Sequence, residues 1–219
     1  MTEDRVRELI ADVDRADSAD GVLDAVKALS AAESTDAIAK LIEVLGYNNP
    51  GAAVAAVDGL VAIGEPAVLP LLEQLDGYNY GARAWAIRAL AGIGDPRGLE
   101  ILLTAAADFS LSVRRAAARG LGALRWQELE RGGIADAQTR ALETLLETTE
   151  DPEWVVRYAA VVGLEALATA PTLSISGLPI RQRFEEMIAT EVEPSVRARV
   201  GLAIERIEAV TPSQGAGVG

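Results

Sequence analysis

Cationic and aromatic side chains recur at helical spacing in a chain whose other chemistry is sparse. Arg83, Arg114, Arg157 and Arg197 stand at equivalent places in successive copies of one pattern, and Trp85, Arg88, Arg115, Arg119 and Trp154 lie within five residues of one of them. A guanidinium grips a carboxylate through two parallel N–H donors, and an aromatic face stacks on a flat conjugated molecule. The chemistry these types suit is binding of carboxylates or stacking on a flat conjugated ligand. The 219 residues include no histidine and no cysteine. That excludes disulfides, thiolate and imidazole metal sites, Ser-His and cysteine nucleophile systems, and a histidine acid/base near neutral pH. Any acid or base must be a carboxylate, Tyr, Lys or Arg, or must come from a partner. No metal and no resident cofactor is expected.

Each of these residues also has a purely structural reading. The arginines of the column can bond a loop Asp or a carbonyl of the neighbouring repeat, and for the column that reading outweighs ligand binding. Arg88, Arg115 and Arg119 lie outside the column and off the alanine-leucine face, so a ligand and a solvated helix face compete for them. Gly46-Tyr47-Asn48-Asn49 and Gly77-Tyr78-Asn79-Tyr80 are near-copies in equivalent turns. Their asparagines can cap helices, and Tyr78 and Tyr80 can wedge between repeats or stack on a conjugated ligand. Trp85 and Trp154 divide between exposure and burial, whereas Trp126 is expected to pack an insertion down. Asp76, Asp95, Asp108 and Asp151 stand in inter-helix turns and are expected to cap helices. Asp108, beside a positive stretch, is the carboxylate favoured for acid/base work.

The positioning elements follow from the repeat. Ala25, Ala56, Ala86, Ala117 and Ala160 form one column, and Leu29, Leu60, Leu90, Leu121, Leu164 and Ile204 another. The arginine column begins with Val22 and Ala53 in the two earliest copies, so the period is 30 to 43 residues. Self-similarity at such a period, two amphipathic helices per copy, marks a stacked helical solenoid. Asp, then Val-Arg, Ala-Ala and Leu-Gly, matches HEAT repeats. The expected fold is an all-α HEAT-repeat solenoid of about six helix pairs, one domain over residues 1–210 with a disordered tail over 211–219. The pairs are read as Glu3–Ala16 with Ala19–Ala32, Ser34 or Thr35 to Leu45 with Asn49 to Ile63, and Glu65–Leu75 with Gly81–Ile93. Asp95–Ala106 with Leu111–Leu124, Asp136–Thr148 with Pro152–Leu167, and Pro179–Thr190 with Glu193–Ile207 complete the set. Insertions at Arg125–Ile134 and Thr169–Gly177 stretch the later copies. The second helix of each pair lines the concave surface of HEAT solenoids, which directs attention to Gly81–Ile93, Leu111–Leu124 and Pro152–Leu167.

Charge narrows the partners. The chain carries −13 overall, but residues 83–131 hold 8 basic and 5 acidic residues, net +3, between acidic flanks of −10 and −6. An acidic protein repels nucleic acid and anionic membranes, while a small anion fits the central island. No apolar run approaches the roughly 18 residues of a membrane span. The acidic start Met1-Thr2-Glu3-Asp4 is unlike a targeting segment, so a cytoplasmic protein without membrane insertion is expected.

The segments LGYNNPGAAVAAVDGLVAIGEPAVLPLLEQLD, YNYGARAWAIRALAGIGDPRGLEILL, FSLSVRRAAARGLGALRW and DPEWVVRYAAVVGLEAL go beyond generic HEAT. From about Ala19 to Ile204, the chain resembles the F-type (beta) subunit of the heterodimeric phycocyanobilin lyases of cyanobacteria. The resemblance implies a heterodimer with an E-type HEAT subunit that attaches phycocyanobilin, as substrate, to a cysteine of the phycocyanin alpha subunit. The bond is a thioether, formed when the thiol adds to the ethylidene carbon of ring A. Phycocyanobilin is flat and carries two propionates. The resemblance therefore points to Tyr78, Tyr80, Trp85, Trp154 and Tyr158 as its aromatic contacts, and to Arg83, Arg88, Arg114, Arg115 and Arg157 as its anion contacts. Asp108 or a carboxylate of the partner would assist proton transfer. A related F-type subunit that also isomerises the pigment relies on a His-Cys motif, which this chain lacks, so attachment without isomerisation is implied. The alternative is a non-catalytic HEAT adaptor or chaperone for phycobiliproteins, acting in assembly or in phycobilisome disassembly.

Overall fold

The computed structural model describes residues 2–75 and 80–210, apart from the side chain of Tyr80. Two compact units partition the chain, Met1–Ile101 and Leu102–Gly219. The tail residues 211–219, and Asp76 and Tyr78 of the sequence reading, lie outside the described residues.

In the first unit six helices form three pairs: α1 (Glu3–Arg15), α2 (Ala19–Ser30), α3 (Ile38–Val44), α4 (Pro50–Ile63), α5 (Val68–Gln74) and α6 (Tyr80–Ile93). Their sequences are rich in alanine and leucine, the residues that lose least on entering a helix. Ser18 accepts from the Gly21 N–H at the start of α2, and Asn49 accepts from the Ala52 N–H at the start of α4, with Pro50 in the first turn. Asn49 is thus the cap that the sequence suggested, and its amide also donates to the Ala19 carbonyl at 2.8 Å. Helices α2, α4 and α6 pack in succession as one layer, and α1, α3 and α5 cover them one by one.

The second unit repeats the scheme with α8 (Leu111–Gly122), α9 (Ile134–Thr148), α10 (Trp154–Ala168), α11 (Leu178–Thr190) and α12 (Pro194–Val210). The division between the units falls inside α7 (Leu99–Ala105). Here α8, α10 and α12 form one layer, backed by α9 and α11. The leucine column is the core, with Leu29, Leu60, Leu90, Leu121 and Leu164 all buried. Burying each contributes about 2 kcal/mol.

Two local features differ from the sequence reading. Short 3-10 turns at Thr35–Ala37, Glu65–Ala67 and Pro96–Gly98 precede α3, α5 and α7, where continuous helix was expected. At the latter two, Gly64 (φ 76°) and Gly94 (φ 70°) stop the preceding helix in the left-handed region, which only glycine enters without penalty. Pro66 and Pro96 then start the chain in a tight turn before it relaxes to α-geometry. The second helix in each of the last two pairs also starts later, at Trp154 rather than Pro152 and at Pro194 rather than Glu193, because Asp151 and Glu191 hold the preceding turns. The insertions are pinned by side chains. Trp126 is 1% exposed, as expected, and the buried Gln138 amide clamps the second insertion through the Thr172 carbonyl (3.0 Å) and the Ser174 N–H (2.8 Å).

Helices α8 and α10 approach unusually closely. A Cβ placed on Gly122 would lie 1.8 Å from the Gly163 carbonyl oxygen, and one on Gly163 2.3 Å from that of Ala118. Backbone therefore rests directly on backbone, and the exposed faces of the two helices are brought side by side. Among the described residues no single helix is long and apolar enough to cross a membrane.

Candidate functional site

Two members of the arginine column, Arg114 and Arg157, are committed to the stacking of repeats. Arg114 forks onto Asp151 (Nε to Oδ2 2.6 Å, Nη2 to Oδ1 3.1 Å), and its Nη1 donates to the carbonyls of Asp108 and Phe109. Arg157 repeats the arrangement one copy later, with both fork distances to Glu191 at 2.8 Å and Nη1 on the carbonyls of Asp151 and Pro152. Arg197 donates to the Glu191 carbonyl. These ion pairs are nearly dry: side-chain exposure is 15% and 8% for Arg114 and Asp151, and 16% and 5% for Arg157 and Glu191. Burial pushes the Asp151 carboxyl up, yet the Arg114 fork and the Glu153 N–H outweigh it and hold the group below its ordinary value. The Arg157 fork, against the cost of burial, holds Glu191 below its ordinary value too.

Asp108 belongs to the same series. Its Oδ1 accepts from the Ser110 N–H at 2.8 Å, as Asp151 does from Glu153 and Glu191 from Glu193, each at 2.9 Å. Of the turn carboxylates expected to be caps, Asp95, Asp108 and Asp151 therefore bond the backbone two residues on, and Asp151 also binds the preceding repeat.

Other sequence candidates share an exposed face. Trp154 (44% exposed) and Tyr158 (37%) are one turn apart on α10, so their rings lie on one side of the helix. On the adjoining α8, Arg115 and Arg119 are exposed and also one turn apart. Neither has an ion pair among the described residues. The repeat register gives Arg115 the position of Tyr158 and Arg119 that of Val162. Cations on α8 thus flank an aromatic strip on α10, with Phe109 and Leu111 exposed at the start of α8.

Helix α12 borders the other side of the strip. The Arg199 guanidinium lies 6.0 Å from the centre of the Tyr158 ring, and its Nη1 is 2.6 Å from Glu165 Oε2 on α10. Arg206 reaches the other Glu165 oxygen at 3.1 Å. None of these three was singled out in the sequence. The signal was present in the columns: Arg199 takes a place held by Ala116 and Ala159, and Glu165 the place of Gly122. Two charged residues in two small-residue columns are complementary substitutions.

Arg83, Trp85 and Arg88 belong to α6 of the first unit. The Arg83 Nη1 donates to the Leu75 carbonyl over a long 3.4 Å, and the exposed Arg88 lies over the half-buried Trp85 ring at 5.5 Å. Tyr80 opens the same helix. A groove of about 350 Å³ between α9 and α11 is lined by Leu146, Glu147, Glu150, Arg183 and Glu186 among others. Its acidic, non-aromatic lining does not suit a planar anion.

Paired helices in two layers, joined by an arginine of one repeat to a carboxylate of the next, define a HEAT-repeat protein with an aromatic and cationic face. The family of HEAT repeats matches residues 70–165. The phycocyanobilin lyase subunit beta of Nostoc sp. is 52% identical over 90% of this chain and 97% of its own length. The phycocyanin alpha phycocyanobilin lyase CpcF of Synechocystis sp. is 51% identical over 92% and 94%. In the solved complex of CpcE and CpcF of phycocyanin lyase from Nostoc sp., one chain superimposes with a TM-score of 0.72 at 53% identity, covering 78% of this chain and 99% of that one. The chain belongs to the phycocyanobilin lyase beta (F-type) subunit family.

Proposed function

We propose that this chain is the beta subunit of a two-chain bilin lyase. With an E-type partner it takes phycocyanobilin as substrate and promotes its attachment through a thioether to a cysteine of the phycocyanin alpha subunit, in the cytoplasm. The observation that carries this reading is identity above 50% with named phycocyanobilin lyase subunits over nearly their whole length. The absence of cysteine fits it, since the thiol that adds to the pigment then belongs to the acceptor.

This chain's part is binding and presentation. Trp154 and Tyr158 offer ring faces to the conjugated pigment, and the cations beside them attract its propionates. Fixing the pigment in one pose and excluding water makes thiol addition behave as an oriented, near-intramolecular step. The thiol sulfur forms the new C–S bond to ring A, and its proton passes to the pigment. Asp108 is this chain's candidate for assisting that proton, although its bond to the Ser110 N–H supports a cap role. Asp108→Asn separates the two, because asparagine caps equally well: an unchanged attachment rate means a cap, and a large fall means proton transfer.

The test is attachment in vitro. Phycocyanobilin and apo-phycocyanin alpha subunit are mixed with this chain, an E-type subunit, or both, and pigment absorbance is read after denaturation. Rapid attachment to a single product only with both chains is expected. A rate no better than spontaneous, with the E-type subunit shown to be active beside another F-type subunit, overturns the reading.

A further inference from the structure

Arg199 is 6% exposed, yet its pairing is incomplete. A buried guanidinium carries five N–H donors and is costly to leave short of acceptors. Its contact with Glu165 is at ion-pair distance, but neither Arg199 Nη1 nor Glu165 Oε2 is in hydrogen-bond geometry. No hydrogen bond from Nε or Nη2 is found among the described residues. The contrast with Arg114 and Arg157, whose forks are filled by carboxylates and carbonyls, is internal to the same unit. Arg199 also sits against the ring of Tyr158, the exposed aromatic beside Trp154. Arg206, 57% exposed, shares Glu165 with it, so two cations flank one carboxylate and the cluster retains one positive charge.

We propose that Arg199 and Arg206 form a carboxylate subsite at the α12 border of the aromatic strip, and that it takes one propionate of the bilin stacked on Tyr158 and Trp154. The proposal rests on the bilin-lyase reading. It moves the anion contact from Arg114 and Arg157, whose donors are engaged, to a guanidinium with donors to spare. Glu165 acts as a positioning residue, holding both arginines against the ring. Arg115 and Arg119 on the opposite border are placed for the second propionate.

The test measures pigment binding without acceptor protein, using the heterodimer of this chain with an E-type subunit. Phycocyanobilin and its dimethyl ester are titrated separately and followed by absorbance. The wild type is expected to bind the free acid about tenfold more tightly than the ester, the scale of a charge-assisted hydrogen bond. The double variant Arg199→Gln/Glu165→Gln, which leaves no single charge buried, is expected to lose most of the acid preference, keeping only the part that Arg115 and Arg119 give through the second propionate, with ester affinity unchanged. Arg206→Gln changes an exposed residue and so keeps the fold; it is expected to lower the acid preference about threefold, and it decides the matter if the double variant does not fold. The proposal is overturned if the wild type does not prefer the acid, if either variant keeps the full preference, or if both pigments weaken equally, which would mean a structural pair. It is likewise overturned if only affinity for the E-type partner falls, which would assign Arg199 to the subunit interface. The lyase reading is judged separately by wild-type attachment to the acceptor, so either can fail alone.

Discussion

The two units stack the same repeat with different materials. In the first, neighbouring repeats are tied by neutral bonds, Ser30 donating to the Ala55 carbonyl and Asn49 to that of Ala19, and by Lys40 on the exposed Asp14. Its one inter-repeat arginine described in an ion pair, Arg97 with Glu65, is 40% exposed. In the second, each successive repeat is joined by a nearly dry arginine and carboxylate. Their outer surfaces differ in parallel. Among the described residues, exposed Trp154, Tyr158, Phe109 and Leu111 all belong to the second unit, whereas Leu69 is the large exposed apolar side chain of the first. A repeat held by buried ion pairs keeps its geometry while its face carries residues that do nothing for the core.

The comparison can be broken most forcefully at the glycines. Gly122→Ala drives a Cβ into backbone and should destabilise the second unit by about 3 kcal/mol, whereas Gly92→Ala in the first meets a Val61 methyl at 2.6 Å and should cost about 1 kcal/mol. Urea unfolding of both variants checks this. Next come the ion pairs. Asp151→Asn leaves the Arg114 charge uncompensated and should cost about 3 kcal/mol, while Glu65→Gln, which breaks only the exposed Arg97–Glu65 pair and leaves Arg97 on Asp95, should cost under about 1 kcal/mol. Equal losses would remove the distinction between the units.

Acid should act on the same pairs. Asp151 and Glu191 are held below their ordinary values, so their stabilisation is complete above the unfolded carboxylate range of about 4. It is lost as pH falls from there through the lowered folded values. Thermal melting of wild type and of the double variant Asp151→Asn/Glu191→Gln should therefore converge below about pH 4. The smallest effect is expected at the outer face: Arg115→Gln/Arg119→Gln should slow attachment about threefold with unchanged melting, as befits exposed cations.

Much of the fold was legible because packing repeats itself. Leu29 through Leu164 must all be buried against the same neighbours, so the columns declare the helix pairs. The site was legible less evenly. Trp154 and Arg115 stood out by type and are found exposed. The column position favoured a repeat contact over a ligand for Arg114 and Arg157, but the spacing did not say which carboxylate each would meet. Those are Asp151 and Glu191, which lie 37 and 34 residues onward. Glu165 and Arg199 escaped notice because each resembles an ordinary solvated helix residue. Their pairing exists only once α10 and α12 are packed.

The central claim is that pigment is handled on the α8–α10–α12 face of the second unit. Its most direct test is the attachment rate, with E-type partner and acceptor, of Trp154→Ala/Tyr158→Ala beside a control pair on the first unit's second helices, Asp24→Ala/Asp58→Ala. The account predicts about a tenfold loss for the aromatic pair, at the scale of lost ring contacts, and wild-type rates for the control. Equal rates for the two variants would contradict it.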